Sequence, residues 1–323
     1  MSPDSFGLFP HELLLLNYAP KILTGKPPQQ QFWQYRYGVS SPMDILRNLE
    51  SRGFLEVAGI DHSISAQTLP MLKSLLTKLS LSPTGSKAKL VARILEEVSL
   101  KELNQYFPER YFGRTVLGQA AIDASPHILY IHQNAGIEDL DIFSLTEQIA
   151  AHGGSYRQVL WNYVHQAQID HTQRRDFGLA RNAKLRLSYL LAEENRFVEA
   201  IAMLAEVFFS DVNGSTNGFN MDFLAIYAEN FFPYDASTIT IAPGLPKHLT
   251  KWIDQAGISE SEAREIMAAR MQIQTLPLSV FTPEECIDLV FLTISGEQTR
   301  IKQLYIQAET LFLKRYSYEL SRG

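Results

Sequence analysis

The chain has 323 residues, a length typical of two domains or of one large domain with a small module attached. Its residues are 46% hydrophobic and 20% charged, proportions that exclude an intrinsically disordered chain. The formal net charge of −6 excludes a protein that is basic overall. Any contact with a polyanion must therefore be confined to a local patch.

Two further features limit where the protein works. Cys286 is the only cysteine, which excludes an intrachain disulfide and a zinc site built from several cysteines. We therefore expect a reducing, cytoplasmic setting. The longest leucine run, residues 13–16, is far shorter than the roughly 20 apolar residues of a membrane helix, and the first ten residues lack the pattern of an export signal. We expect no membrane partner.

The first 60 residues mix aromatic side chains with a short helix and a strand. Trp33, Tyr35 and Tyr37 alternate, so in an extended segment their rings would share one face. Such a row is either part of the core or a surface that stacks on unpaired bases. A helix is predicted from Ser41 to a C-terminal cap at Gly53, followed by a strand over residues 54–57.

Residues 68–97 predict a helix, a short polar loop and a second helix. The first helix has leucines at three- and four-residue steps, which predicts one buried stripe; these are Leu69, Leu72, Leu75, Leu76 and Leu79. Thr68 and Ser86 are suitable N-caps, and the loop contains the turn formers Pro83 and Gly85. On the second helix the predicted apolar positions are Ala88, Val91 and Leu95, with Leu90 and Ile94 beside them.

The charges of this segment suit a phosphate backbone. It contains five basic and two acidic residues, so it carries +3 and leaves −9 on the remainder of the chain. Several of the basic residues lie close to a helix N-terminus, whose amides and dipole favour an anion. We predict that seven residues contact DNA: Lys73, Lys78, Gly85, Ser86, Lys87, Lys89 and Arg93.

This segment resembles the SAP module, a small helix-turn-helix motif that binds DNA. The resemblance rests on the leucine ladder, the Leu81-Ser82 step, the turn at residues 85–88, Leu90-Val91 and Arg93-Ile94. The chain departs from the motif at Pro70 and Met71, where helix-favouring polar residues are usual, and at Ser86, where lysine is commoner. The alternative is an ordinary helical hairpin with solvated lysines.

Beyond the hairpin the sequence predicts short elements and then a series of helices. Ser99 and Glu102 form a capping box, and residues 111–117 predict a strand that pairs with 54–57 around the hairpin. A strand-like apolar run at 128–131 lies between His127 and His132. From about residue 141 the predicted helices are 143–152, 155–170, 177–193, 197–209, 219–230, 246–256, 259–272, 282–294 and 297–315.

One pair of these helices, within residues 182–209, has the spacing of a tetratricopeptide repeat. The residues at the packing positions of such a repeat are Leu187, Leu191, Asn195, Phe197, Ala200 and Leu204. It resembles a single repeat, whereas a solenoid needs about three stacked units. An antiparallel helix pair within a bundle is the alternative, and both interpretations indicate a scaffold for protein contacts.

Candidate catalytic and metal-binding groups are few. Glu138, Asp139 and Asp141 form an acidic cluster that would hold magnesium in a nuclease, or would cap the helix that follows. His165 and His171 are six residues apart, which places their side chains about 120° apart on an ideal helix. The chain has no GxxxxGK, GxGxxG, GxSxG or HExxH motif. We predict no catalytic residue, no bound metal and no cofactor, and we expect Cys286 to be buried and structural.

Nearly the whole chain resembles a family of bacterial, often prophage-associated, SAP-domain proteins. The similar segments are NYAPK at 17–21, FWQYRYGV at 32–39, RGFLE at 52–56, YIHQ at 130–133, LDIFSL at 140–145, DFGLARNAKLRL at 176–187, FLAIYAENFFPY at 223–234, TIAPG at 240–244 and FTPEECIDLVF at 281–291. The resemblance implies the architecture and supplies no activity or cofactor.

These observations predict a mainly α protein: a small SAP-like helical module with short flanking strands, and a larger all-helical C-terminal domain that is a bundle or repeat-like. The predicted divisions are an aromatic and helical segment at 1–60 that packs on the module, the module at 61–135 and the helical domain at 136–323. We favour a non-enzymatic protein that binds the backbone of duplex DNA and contacts a protein partner or a second copy of itself. The alternatives are an interaction scaffold without DNA binding and a metal-dependent nuclease.

Overall fold

The computed structural model describes residues 3–215, 218–229, 232–234 and 240–320. As predicted, the fold is mainly helical, and within the described residues the strands form one two-stranded sheet. The chain divides into two compact units, Met1–Gly153 and Gly154–Gly323. The division at residues 60 and 135 that the sequence suggested stays a prediction.

Short helices and one sheet build the first unit. Its helices are α1 (Pro10–Tyr18), α2 (Phe32–Tyr37), α3 (Pro42–Ser51), α4 (Ile60–Ser65), α5 (Leu69–Lys78), α6 (Lys87–Glu97), α7 (Leu100–Tyr106), α8 (Val116–Ala124), α9 (Pro126–Gln133) and α10 (Ile142–His152). A 3₁₀ helix, Ala19–Lys21, follows α1.

The two strands of the sheet lie before and after helices α4 to α7 in the sequence. Strand β1 (Leu55–Val57) precedes them, strand β2 (Phe112–Arg114) follows them, and the two pair antiparallel, with Glu56 opposite Gly113. The predicted pairing of the two strands is thus confirmed. Because the strands are neighbours in the sheet, the intervening chain begins and ends at one place in the unit. The four helices therefore form a module whose two ends lie side by side.

The aromatic segment forms a helix, so the prediction of an extended row is wrong. Trp33 and Tyr37 lie four residues apart on α2 and share its buried face, whereas Tyr35 is 74% exposed. Gly38, with φ +67°, ends the helix. The prediction of a strand at 128–131 is also wrong, because these residues belong to α9.

Longer helices form the second unit: α11 (Tyr156–Gln173), α12 (Phe177–Glu193), α13 (Phe197–Val212), α14 (Leu224–Ala228), α15 (Gly244–Ala256), α16 (Glu260–Gln272), α17 (Pro283–Ser295), α18 (Gln298–Arg315) and α19 (Ser317–Leu320). The predicted helix 219–230 is a 3₁₀ turn, Met221–Phe223, followed by α14, and its last residue lies outside the described part of the chain. The core of the unit surrounds α13, where Leu204 and Phe208 are fully buried.

Helices α12 and α13 form the antiparallel pair that the spacing predicted. Leu187, Leu191, Ala200 and Leu204 are all buried, and Ala200 has no exposed surface. Asn195 turns the chain between the helices with φ +60°, a conformation that asparagine tolerates better than most residues. Small and branched apolar side chains at these positions allow the two helices to pack along most of their length.

Ion pairs at the buried side of α13 add specific contacts. The carboxylate of Glu206, whose side chain is 4% exposed, accepts from Lys184 Nζ at 2.6 Å and from Arg270. Asp211 pairs with Arg181 in a bidentate arrangement. Removal of Arg181 would leave the buried charge of Asp211 without its cation, and Glu206 joins a cation of α12 to one of α16. These pairs therefore fix how α12 and α16 meet α13.

None of the helices in the described part of the chain combines the length and apolar character needed to cross a lipid bilayer.

Candidate nucleic-acid interface

A small hydrophobic core of its own holds the helical hairpin of α5 and α6. Leu72 and Leu76 of α5 pack with Leu90 and Ile94 of α6, and all four have no exposed surface. Burial of each such side chain stabilises the fold by about 1.5–3 kcal/mol. The cluster also contains Ile64 of α4, Val98 just after α6, Leu103 of α7 and Phe107 just after α7.

The predicted buried stripes are only partly correct. On α5, Leu69 is 39% exposed, because it lies in the first turn beyond the packed faces. On α6 the buried positions are Leu90 and Ile94, whereas Ala88 and Leu95 are exposed. The hydrophobic stripe of α6 therefore lies about one residue away from the predicted one, which turns a different face of the helix toward solvent.

A Schellman motif ends α5. Ser80 adopts φ +58°, its amide donates to the carbonyl of Thr77 at 3.0 Å, and the amide of Leu81 donates to the carbonyl of Leu76 at 2.8 Å. The motif satisfies two terminal carbonyls and turns Leu81 back onto the core cluster. The Leu-Ser-Leu sequence was the available signal, since an apolar residue two places after the C-cap, here Leu79, is typical of this motif.

The start of α6 depends on Gly85 and Ser86. Gly85 has φ +126°, and a Cβ atom there would lie 3.3 Å from Cβ of Lys89, so the position favours glycine on both counts. Ser86 is the N-cap, and its Oγ accepts a long hydrogen bond, 3.5 Å, from the amide of Lys89. The amides of Lys87 and Ala88 point out of the first turn without intrahelical acceptors. They form a site at which an anionic oxygen can accept hydrogen bonds.

Arg93 holds the loop that precedes this site. Its Nη1 donates to the carbonyls of Ser82 and Thr84, the latter at 3.1 Å. We predicted a phosphate contact for Arg93 from sequence, but its first contacts in the structure are with the loop. Its Nε and Nη2 have no hydrogen-bond partner within the described residues. The guanidinium thus orders the loop and keeps donors for an anion near the start of α6.

Both helices of the hairpin carry lysines. Lys73, Lys87 and Lys89 are exposed. Lys87 and Lys89 are separated by about 200° around α6, so they flank its first turn on two sides. Lys78, at the end of α5, lies with Nζ 5.2 Å from the ring centroid of Tyr106. This cation–π contact was not predicted, because Tyr106 is 28 residues away and nothing local indicates the pairing.

At the start of α6, the exposed Lys87 and Lys89 and the amides of Lys87 and Ala88 form a cradle of donors of the kind that binds phosphate oxygens. Residues 63–98 match the SAP domain family. The SAP domain is a DNA-binding module, and the match covers α5, α6 and the loop between them. No curated protein matches the chain.

Outside the SAP domain, the other candidate groups are in structural surroundings. The carboxylate of Asp141 accepts from the amides of Phe143 and Ser144 at 2.8 Å, which makes it the N-cap of α10. His165 is exposed and His171 is half-buried on α11. In the described ranges, no three metal-binding side chains come together. Cys286 is buried, and burial raises the pKa of its thiol.

Proposed function

We propose that the protein binds duplex DNA through its SAP domain, and that the contacts are to the phosphate backbone. The observation that carries this proposal is the start of α6, where exposed lysines flank two amides that have no acceptor in the helix. Contacts of this kind position a protein on DNA without reading its sequence. The proposed binding is therefore weak, largely independent of sequence and sensitive to salt.

Reversal of charge at Lys87 and Lys89 tests the proposal. The Lys87→Glu, Lys89→Glu variant should lose duplex binding in a gel-shift titration at low salt, because two cations beside the cradle become anions. Both side chains are exposed, so folding should be unaffected. The matched control is Lys21→Glu with Lys302→Glu, two exposed lysines outside residues 63–98 that receive the same change in charge. If the first variant binds duplex as tightly as the parent does, the proposal is wrong.

We further propose that the second unit contacts protein, as a single tetratricopeptide-like hairpin suggests, and that one partner is a second copy of the chain. Three large apolar side chains of α18 support this: Ile306 is 50% exposed, Leu311 60% and Leu313 49%. Ile306 and Leu313 are seven residues apart and therefore share one face of α18. A contiguous apolar face left exposed on a folded surface is a common site of association with another protein.

Light scattering of the full chain tests the self-association. The mass should rise above the monomer value of 36.6 kDa with concentration, and Ile306→Glu with Leu313→Glu should return it to that value. Lys302→Glu, which changes an exposed charge on the same helix, serves as the control. A monomeric mass at every concentration would contradict the proposal.

A further inference from the structure

The second unit has a group of aromatic rings at its surface that the SAP domain does not involve. Tyr189 of α12 lies with its ring centroid 5.1 Å from that of His248 and 5.9 Å from that of Trp252, both on α15. The rings of His248 and Trp252 are 5.7 Å apart. Trp252 is buried, Tyr189 is half-buried and His248 is exposed, so the group is anchored in the core and open to solvent on one side.

Cations accompany these rings. Lys247 and Lys251 are exposed and one turn apart on α15, on the side of the helix that carries His248. Arg186 of α12 lies with its guanidinium carbon 6.0 Å from the ring centroid of Tyr189. Partial burial of its ring and the charge of Lys251 both lower the pKa of His248, which favours the neutral ring.

Few carboxylates near the rings could offset the charge of the lysines. Glu193, one turn beyond Tyr189, accepts from Arg157 Nη1 at 2.6 Å. Asp254, one turn beyond Lys251 on α15, is the acidic residue of that face. The face of α15 with Lys247, His248 and Lys251 therefore stays positive although the chain as a whole carries −6.

Flat rings next to exposed cations match the chemistry of unpaired nucleotides. Every base has a π face that stacks on an aromatic side chain, and the phosphates between bases pair with lysine and arginine. A duplex hides its base faces, so this surface suits a single strand better than the ligand proposed for the SAP domain. An acidic protein partner would pair with the lysines, but its binding would give no role to the exposed ring of His248.

We propose that Tyr189, His248, Lys247 and Lys251 form a second nucleic-acid surface, which binds unpaired nucleotides of DNA or RNA. It lies entirely in the second unit, so it does not depend on the duplex contact of the SAP domain. A protein with both surfaces would bind duplex and single-stranded nucleic acid at two separate sites.

Binding of fluorescein-labelled dT20 to the full chain, followed by anisotropy at low salt, tests this inference. Lys247→Glu with Lys251→Glu should weaken binding about tenfold, and should reduce the slope of log affinity against log salt by about 1.4, since two phosphate contacts are lost. His248→Ala should also weaken binding about tenfold, because stacking is lost. His248→Phe should restore it, because a ring is present again. A parallel titration with rU20 shows whether DNA, RNA or both are bound, and each of these results supports the inference.

Lys21→Glu with Lys302→Glu, two exposed lysines outside both surfaces, is the matched control and should bind dT20 as the parent does. If Lys87→Glu with Lys89→Glu loses dT20 binding while the α15 variant keeps it, the single strand binds at the SAP domain and the inference is overturned. The inference is also overturned if the parent binds neither dT20 nor rU20. It is overturned as well if His248→Ala has no effect, since the surface would then bind polyanions in general. If duplex binding fails but dT20 binding depends on α15, the duplex proposal fails and this inference stands.

Discussion

His127 is a buried side chain whose ionisation is coupled to the stability of the first unit. It lies on α9, and its Nε2 is 3.0 Å from Thr146 Oγ1 of α10. The hydroxyl of Thr146 donates to the carbonyl of Ile142, so it accepts from the Nε2 proton of a neutral imidazole. Burial lowers the pKa of His127 to about 4. The folded state therefore binds this proton less readily than the unfolded state.

Acid should consequently destabilise the first unit through His127. The stability contributed by the neutral ring is present above pH 6.5 and is lost as the pH falls through about 4. Between pH 7 and pH 5 the loss should be about 2 kcal/mol. Hydrogen exchange of peptides from α9 and α10, corrected for the intrinsic rate, measures it. His127→Gln should flatten this pH dependence, whereas His165→Gln, on the exposed surface of α11, should leave it unchanged. An identical pH dependence in both variants would refute this assignment.

Helix α8 shows how closely one element can approach another when a glycine permits it. The amide of Gly118 donates to Thr115 Oγ1, the N-cap of α8, at 3.1 Å. The same hydroxyl donates to the carbonyl of Gly53 at 2.7 Å, just before β1. A Cβ atom at Gly118 would lie 2.1 Å from the carbonyl oxygen of Phe54. The cap and the missing side chain together set α8 against the chain that enters β1.

Gly118→Ala should therefore force α8 away from the sheet. We expect a loss of up to about 3 kcal/mol in the free energy of unfolding, typical of an overpacked core. Gly25→Ala is the matched control, since a Cβ atom there has no neighbour within 4 Å, and it should change the stability by less than about 0.5 kcal/mol. Urea unfolding of the two variants measures both effects. Equal stability of the variants would show that the backbone at Phe54 yields freely.

The distribution of charge over the whole molecule limits how strongly DNA can be bound. Residues 68–97 carry +3 and the remainder of the chain carries −9. Binding releases counterions only from the few phosphates that the SAP domain neutralises. The acidic remainder of the chain repels the other phosphates. DNA binding therefore depends on the local positive charge of the SAP domain and not on the net charge of the protein.

Salt dependence should report this local surface. With about four phosphates neutralised, the slope of log affinity against log salt should be about −3.6, and affinity should fall about 150-fold between 50 and 200 mM salt. Titration of a labelled duplex at several salt concentrations measures the slope. A slope near −10 would mean that many more cations contact DNA than the SAP domain contains. A slope near zero would mean that binding does not rest on phosphates.

Local features of the sequence determined α5, its loop and α6. The leucine spacing, Gly85 and the cap at Ser86 act within one or two turns, so they specify the two helices wherever the segment lies. The paired strands β1 and β2 and the antiparallel helices α12 and α13 were also predictable, because each has its own periodicity and turn residues. The basic surface was also predictable, because the charged residues of 68–97 can be counted from the sequence.

Tertiary structure decided which side chains remain available for binding. Arg93 donates to carbonyls of the loop, and Lys78 lies over Tyr106, although the sequence predicted that both contact DNA. The aromatic segment is the helix α2, and its Tyr37, with Tyr18 from α1, hydrogen-bonds His132 on α9, at 2.6 Å and 2.9 Å. The rings at Tyr189 and His248 meet across 59 residues. Such contacts bring together groups that are remote in sequence, and no local periodicity encodes them.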